Sequence, residues 1–152
     1  PTKDAYASLF FTITGFHPGA VIVTGTVCIV NANVTGAVVV QKGGSVAIEN
    51  STIGGSVTAM NQARAVQICG SSVGLHVGGA VAVVGDTQFV MVGDPVAGCA
   101  VNDIGGTLML RNNHHGVEAI GNHVAGAVTA IGNSGSGPFP EDTAPEIEGN
   151  GP

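Results

Sequence analysis

The sequence predicts an all-β, single-domain parallel β-helix (β-solenoid) of about five coils, with about 20 residues per coil. Three observations carry that expectation. A short pattern of Val, Ile and small polar residues recurs at near-constant spacing. Glycine supplies 25 of the 152 residues, while aromatic residues make up only 4% and Trp is absent. Charged residues reach only 9% although hydrophobic residues reach 44%, with a mean hydropathy of +0.41.

The recurring unit is Val27-Cys-Ile-Val-Asn-Ala-Asn-Val34-Thr-Gly36-Ala-Val38, followed by Val46-Ala-Ile-Glu-Asn-Ser-Thr-Ile53-Gly-Gly55-Ser-Val57. Val66-Gln-Ile-Cys-Gly-Ser-Ser-Val73-Gly-Leu75-His-Val77 and Val117-Glu-Ala-Ile-Gly-Asn-His-Val124-Ala-Gly126-Ala-Val128 follow the same template. The first three copies begin 19 and then 20 residues apart. Within each copy, apolar residues alternate with polar or small ones, which makes a strand with one face inward. Asn, Ser and Gly between the strands suit tight corners, because Asn and Gly tolerate left-handed backbone angles. A single coil cannot bury its apolar face, but a stack of coils encloses a continuous narrow core. A core that narrow favours Gly, Ala and Val over aromatic residues.

Three segments divide the chain. Residues 1–19 read as an N-terminal cap or strand, since Ala7-Ser-Leu-Phe-Phe-Thr-Ile-Thr14 holds two of the five Phe residues. Residues 20–133 form the β-helix, about five coils and so roughly 24 Å of rod. Within it, Val73 and Ile104 are 31 residues apart, neither one coil nor two, so residues 78–103 are expected to hold a distorted coil or a loop. Residues 134–152 form a Pro/Gly-rich acidic tail whose Pro138, Pro140 and Pro145 have no ladder donor.

The corners "VTGAV", "TIGGSV", "DIGGTL" and "HVAGAV" resemble the Gly/Val/Asn-rich right-handed β-helix repeats of secreted bacterial proteins, over roughly residues 20 to 133. That resemblance implies a right-handed coil and an extracellular setting. It does not select an activity, since similar solenoids serve as carbohydrate lyases, adhesins, antifreezes and structural proteins.

Composition excludes several classes. High hydropathy with low charge is incompatible with a wholly disordered chain, and the every-third-residue glycine period of collagen is absent. Four Lys and Arg residues leave no basic patch for phosphates, so no nucleic-acid partner is expected. Residues 5–41 carry no charge, but Gly15, Pro18, Gly19, Gly25, Asn31 and Asn33 interrupt them too often for a spanning helix, so no membrane insertion is expected. The opening Pro1-Thr2-Lys3-Asp4 reads as a processed or trimmed start. Of the net charge of −6, Glu141, Asp142, Glu146 and Glu148 carry most, leaving about −2 for the body. So little charge gives weak repulsion between copies. Cys28, Cys69 and Cys99 form no CxxC; they are either one disulfide with an unassigned pair or three small core residues.

No catalytic, cofactor-binding or metal residue is assigned. The densest polar group runs from Asn112 to His123, and His114, His115, Glu118 and His123 form its candidate ligand patch. Asp86, Asp94 and Asp103 fall in the irregular stretch, but the acids elsewhere are dispersed, without the paired carboxylates that glycosidic chemistry uses. Thr24 and Thr26 make one TxT that later coils do not repeat, which disfavours ice binding, and the Asn33 and Asn50 sequons read as coil corners. Leu9, Phe10 and Phe11 are the candidate self-association segment, because an open solenoid exposes strand edges and an apolar cross-section. The sequence therefore points to a secreted structural or surface protein whose Leu9-Phe10-Phe11 segment either joins solenoid ends into a homo-oligomer or filament or folds back as a cap that blocks growth. An extracellular glycan-binding or adhesion module comes second, and a polysaccharide-acting enzyme third.

Overall fold

A computed structural model describes residues 10–70 and 74–152, and in it parallel strands stack as a β-solenoid of about six turns. The first coil holds β1 (Phe10–His17) and β2 (Val21–Val23), and the second β3 (Thr26–Val34) and β4 (Val38–Val40). Next come β5 (Ser45–Glu49), β6 (Thr52–Ile53) and β7 (Val57–Met60), then β8 (Val66–Ile68), β9 (Leu75–Val77) and β10 (Val81–Val84). The fifth coil is β11 (Val90–Val92), β12 (Asn102–Ile104) and β13 (Leu108–Arg111), and the sixth β14 (Val117–Ile120), β15 (His123–Val124) and β16 (Val128–Ile131). A last strand, β17 (Glu146–Glu148), follows.

Pairing sorts these strands into three parallel ladders. The first runs from the front half of β1 and β3 through β5, β8, β11 and β14 to β17. The second runs from the rear half of β1 and β3 through β6, β9 and β12 to β15. The third is β2-β4-β7-β10-β13-β16. Register partners superpose identical roles: Ile29, Ile48, Ile68, Val92 and Ala119 form one inward column, and Val38, Val57, Val81 and Leu108 another, all buried. Each such Val, Ile or Leu removes its side chain from water for about 2 kcal/mol. The expected corner chemistry is present, with Asn31, Asn50, Asn61 and Asn112 in the left-handed region.

The coil count exceeds the expected five because β1 already pairs with β3 as a full parallel strand. Residues 78–103 do hold a loop, between β11 and β12, but the register on either side of it differs from the sequence template. These residues contain β10 and β11, both in unbroken ladders, and Val77 is the partner of Ile53 and Ile104. The extra length lies in loops at a single corner, between the first and second ladders. Ile48 to Thr52 spans four residues, but their partners Ile68 to His76 span eight, and Val92 to Asp103 eleven. Disulfide Cys69–Cys99 joins these two insertions, and Gly70 and Ala100 bridge beside it. Cys28 is unpaired.

The tail returns to the stack. Its prolines lie outside any strand, as expected, but β17 beyond them pairs with β14, and Ile147 packs against the core. Tail backbone also bonds to the body at Gly121 N–H to Glu148 O (3.1 Å) and Val124 N–H to Gly151 O (3.0 Å).

The corner between the second and third ladders is the most regular part. Gly36, Gly55, Gly79, Gly106 and Gly126 each donate their N–H to the corresponding glycine carbonyl one coil earlier, beginning at Gly19, over 2.9–3.0 Å. Coils approach so closely here that a Cβ on Gly54 or Gly105 would stand 2.5 Å from a backbone oxygen of the coil below. Gly105→Ala is therefore expected to cost about 1–3 kcal/mol through overpacking against the Gly78 carbonyl. Denaturant unfolding checks this, and an unchanged midpoint would mean that the corner is not closely stacked.

Candidate functional site

The two ends of the stack expose positions that are core everywhere else. Phe11 is the register partner of the inward, buried Val27, yet it is 66% exposed, since among the described residues no coil stands before it. With Ile13, Val21, Ile22 and Val27 it lines an apolar cavity of about 490 Å³ at the mouth of the first coil. Of the sequence-predicted self-association segment, Leu9 lies outside the described residues, and Phe10 pairs through its backbone with Thr26. At the far end the third ladder stops at β16, while β17 extends the first. Val128 and Ala130 succeed the buried Leu108 and Leu110, but both are exposed, Val128 to 36%.

The four residues of the polar patch sit in three places. His114 lies at a corner, with its Nδ1 2.7 Å from Ser134 Oγ, and His115 is exposed beside it. His123 lies on the second ladder, where Asp103 stands between it and His76, at 2.9 and 3.1 Å. Those two hydrogen bonds, that to His123 the stronger influence, hold the exposed Asp103 carboxyl below its ordinary range. The three groups are register partners, in one column with Thr52, a relation hidden in the sequence by the two insertions.

Glu118 belongs to a separate carboxylate cluster. It faces outward from β14, but the insertion and the tail bring Asp94 and Asp142 to it, and it is 1% exposed. Glu146, its register partner on β17, completes the group, with ligand atoms of Glu118, Asp142 and Glu146 all within 4.8 Å of one another. Burial, then hydrogen bonds to Asp94 and Asp142, push the Glu118 carboxyl up to about 9. Asp86, Asp94 and Asp103 do not converge: each serves a different face or corner.

Two asparagine ladders seal the remaining corners. Asn102 Nδ2 donates to Asn122 Oδ1 (2.9 Å), and Asn122 Nδ2 to Asn150 Oδ1 (2.6 Å). Their amides also donate to the carbonyls of Ile68, Val92 and Ala119 in the preceding coils. Asn113 and Asn133 repeat the arrangement toward Val83 and Leu110. Asp86 holds the equivalent place one coil before Asn113, and its N–H donates to Asn113 Oδ1 at 2.9 Å. Both carboxyl oxygens of Asp86 are buried without a partner, and burial pushes its pKa up to about 8. The pairs Gly85-Asp86, Asn112-Asn113 and Gly132-Asn133, each a left-handed residue before an inward amide or acid, were the available signal in the sequence.

Neither a protein-family model, nor a curated protein, nor a solved structure matches the chain. Among the described residues no helix is long and apolar enough to cross a membrane.

Asp86 and Glu118 set the pH response. Each carries its proton in the fold at neutral pH but loses it near 4 when unfolded, so stability is full below that value and falls as pH rises through about 8 and 9. Asp86→Asn supplies the missing amide donor and removes one titration. The variant is expected to gain about 1–3 kcal/mol near pH 8 and much less near pH 4. Thermal melts of both proteins across pH check this, and parallel profiles would contradict it.

Proposed function

We propose that this chain is a secreted structural or surface protein that assembles end to end through its solenoid ends. The observation carrying this reading is that Phe11 at one end and Val128 at the other occupy inward core columns and yet stand in solvent. The geometry favours a second copy as the partner for three reasons. Every ladder is parallel, so strands at the two ends run in the same sense and head-to-tail stacking needs no strand reversal. Among the described residues the outer edges of β2 and β16 pair with no strand, which leaves a row of backbone donors and acceptors for a partner. The body carries little charge to oppose the contact. A head-to-tail contact is heterologous, and one that does not close a ring grows into a fibre. A disulfide across the two insertions suits an oxidising, extracellular compartment.

One observation favours a second reading, a glycan-binding or adhesion module: the exposed polar column Thr52, His76, Asp103 and His123 along the second ladder. A clear hit on a glycan array that His76→Ala removes would support it.

Light scattering across a wide concentration range tests assembly. The wild type is expected to grow in size with concentration while Phe11→Ser stays monomeric at the same concentrations. A strictly monomeric wild type would end the proposal.

A further inference from the structure

Glu118 and Glu146 are opposed in register on adjacent parallel strands, an arrangement in which like charges destabilise the pairing. Two loops then add further acids instead of relieving the pair. Asp94 sits at the start of the insertion, one oxygen engaged by Val96 N–H at 2.8 Å. Asp142 is buried in the tail, with its Oδ2 engaged by Phe139 N–H at 2.9 Å. Each therefore has a second carboxyl oxygen not committed to its own loop. Among the described residues no basic side chain acts on Glu118; what acts on it is burial and two other carboxyls.

A separate observation points to a ligand at this cluster. Glu118 is 1% exposed, and its Oε1 is buried with no hydrogen-bond partner. A buried acceptor without a donor costs about 1–3 kcal/mol, more when charged, unless a proton or a cation meets it. Glu146, the exposed member, leaves a route in from solvent.

We infer that Glu118, Asp142 and Glu146 bind a hard divalent cation of the Ca²⁺ class, which fastens the tail strand β17 onto β14. The donors are all carboxylate oxygens, the set that suits Ca²⁺ or Mg²⁺, and a site assembled from two strands and a loop suits the less demanding geometry of Ca²⁺. The three side chains come from two elements, β14 and the returning tail, so a bound ion ties the end of the chain to the stack. Protons compete for the same oxygens, so binding strengthens as pH rises toward and past the value at which Glu118 ionises. This site does not depend on end-to-end assembly.

Thermal unfolding and cleavage by a Glu-specific protease, each with millimolar CaCl₂, MgCl₂ or chelator, test the inference on the full chain. At about pH 8, Ca²⁺ is expected to raise the melting temperature and slow cleavage within residues 141–148, with Mg²⁺ weaker and the effect smaller at about pH 6. Glu118→Gln, which keeps the side-chain shape, and Glu146→Gln, at the exposed position, are each expected to weaken the apparent Ca²⁺ affinity by about tenfold or more. No Ca²⁺ effect on either readout at about pH 8 would mean that protons alone hold the cluster, overturning the inference. An undiminished effect in both variants would place the ion elsewhere, and overturns it equally.

Discussion

Close stacking of glycine on glycine at one corner is the constraint on which the other features of this solenoid rest. The column from Gly19 through Gly36, Gly55, Gly79 and Gly106 to Gly126 passes one backbone hydrogen bond per coil, and from Gly36 onward the separation admits no side chain. Its members lie between strands of the second and third ladders, so the column locks the two sheets in phase. The number of residues across it never changes: Val34 to Val38, Ile53 to Val57, Val77 to Val81, Ile104 to Leu108 and Val124 to Val128 all span four.

Because that corner cannot lengthen, variation in coil length is expelled to the other two. The insertions after β8 and β11 leave from the corner between the first and second ladders, where they meet and are joined by Cys69–Cys99. The tail departs after β16 at the corner between the third and first ladders and returns beside β14. Insertion and tail together cover the outer surface of the first ladder, which is why Met91 and Glu118, at outward positions, are buried. The polar chemistry collects where the coils are free to vary: the carboxylate cluster under the tail, and the asparagine ladders at the two variable corners.

Much of this was legible from the sequence, and the rest was hidden by one register choice. Alternating Val and Ile with Asn and Gly corners identified the solenoid, because inward columns and left-handed corners demand those residues. The template, however, placed Leu75 where every other copy has glycine. Matching Gly79 to Gly55 instead moves the register by four residues, makes residues 78–92 ordinary coil and confines the irregular length to the loop between β11 and β12. A strand's inward alternation survives a shift of an even number of residues, so hydrophobic pattern alone could not expose the error; only the close approach of glycines could. The column His76, Asp103 and His123 followed the same fate. The grouping of Asp94, Glu118, Asp142 and Glu146 was beyond any local pattern, since it requires an insertion and a tail to fold back over one strand. The return of Glu146–Glu148 was masked by the prolines before it, which exclude a ladder only for themselves.

Amide hydrogen exchange at the glycine column measures the central constraint most directly. Corners of a coil ordinarily exchange early, because they are short and close to solvent. If the column holds the coils in phase, the amides of Gly55, Gly79 and Gly106 will exchange as slowly as those of Val57 and Val81 in the neighbouring ladder, opening only with the whole stack. Fast exchange at those three glycines beside protected strands would contradict the account.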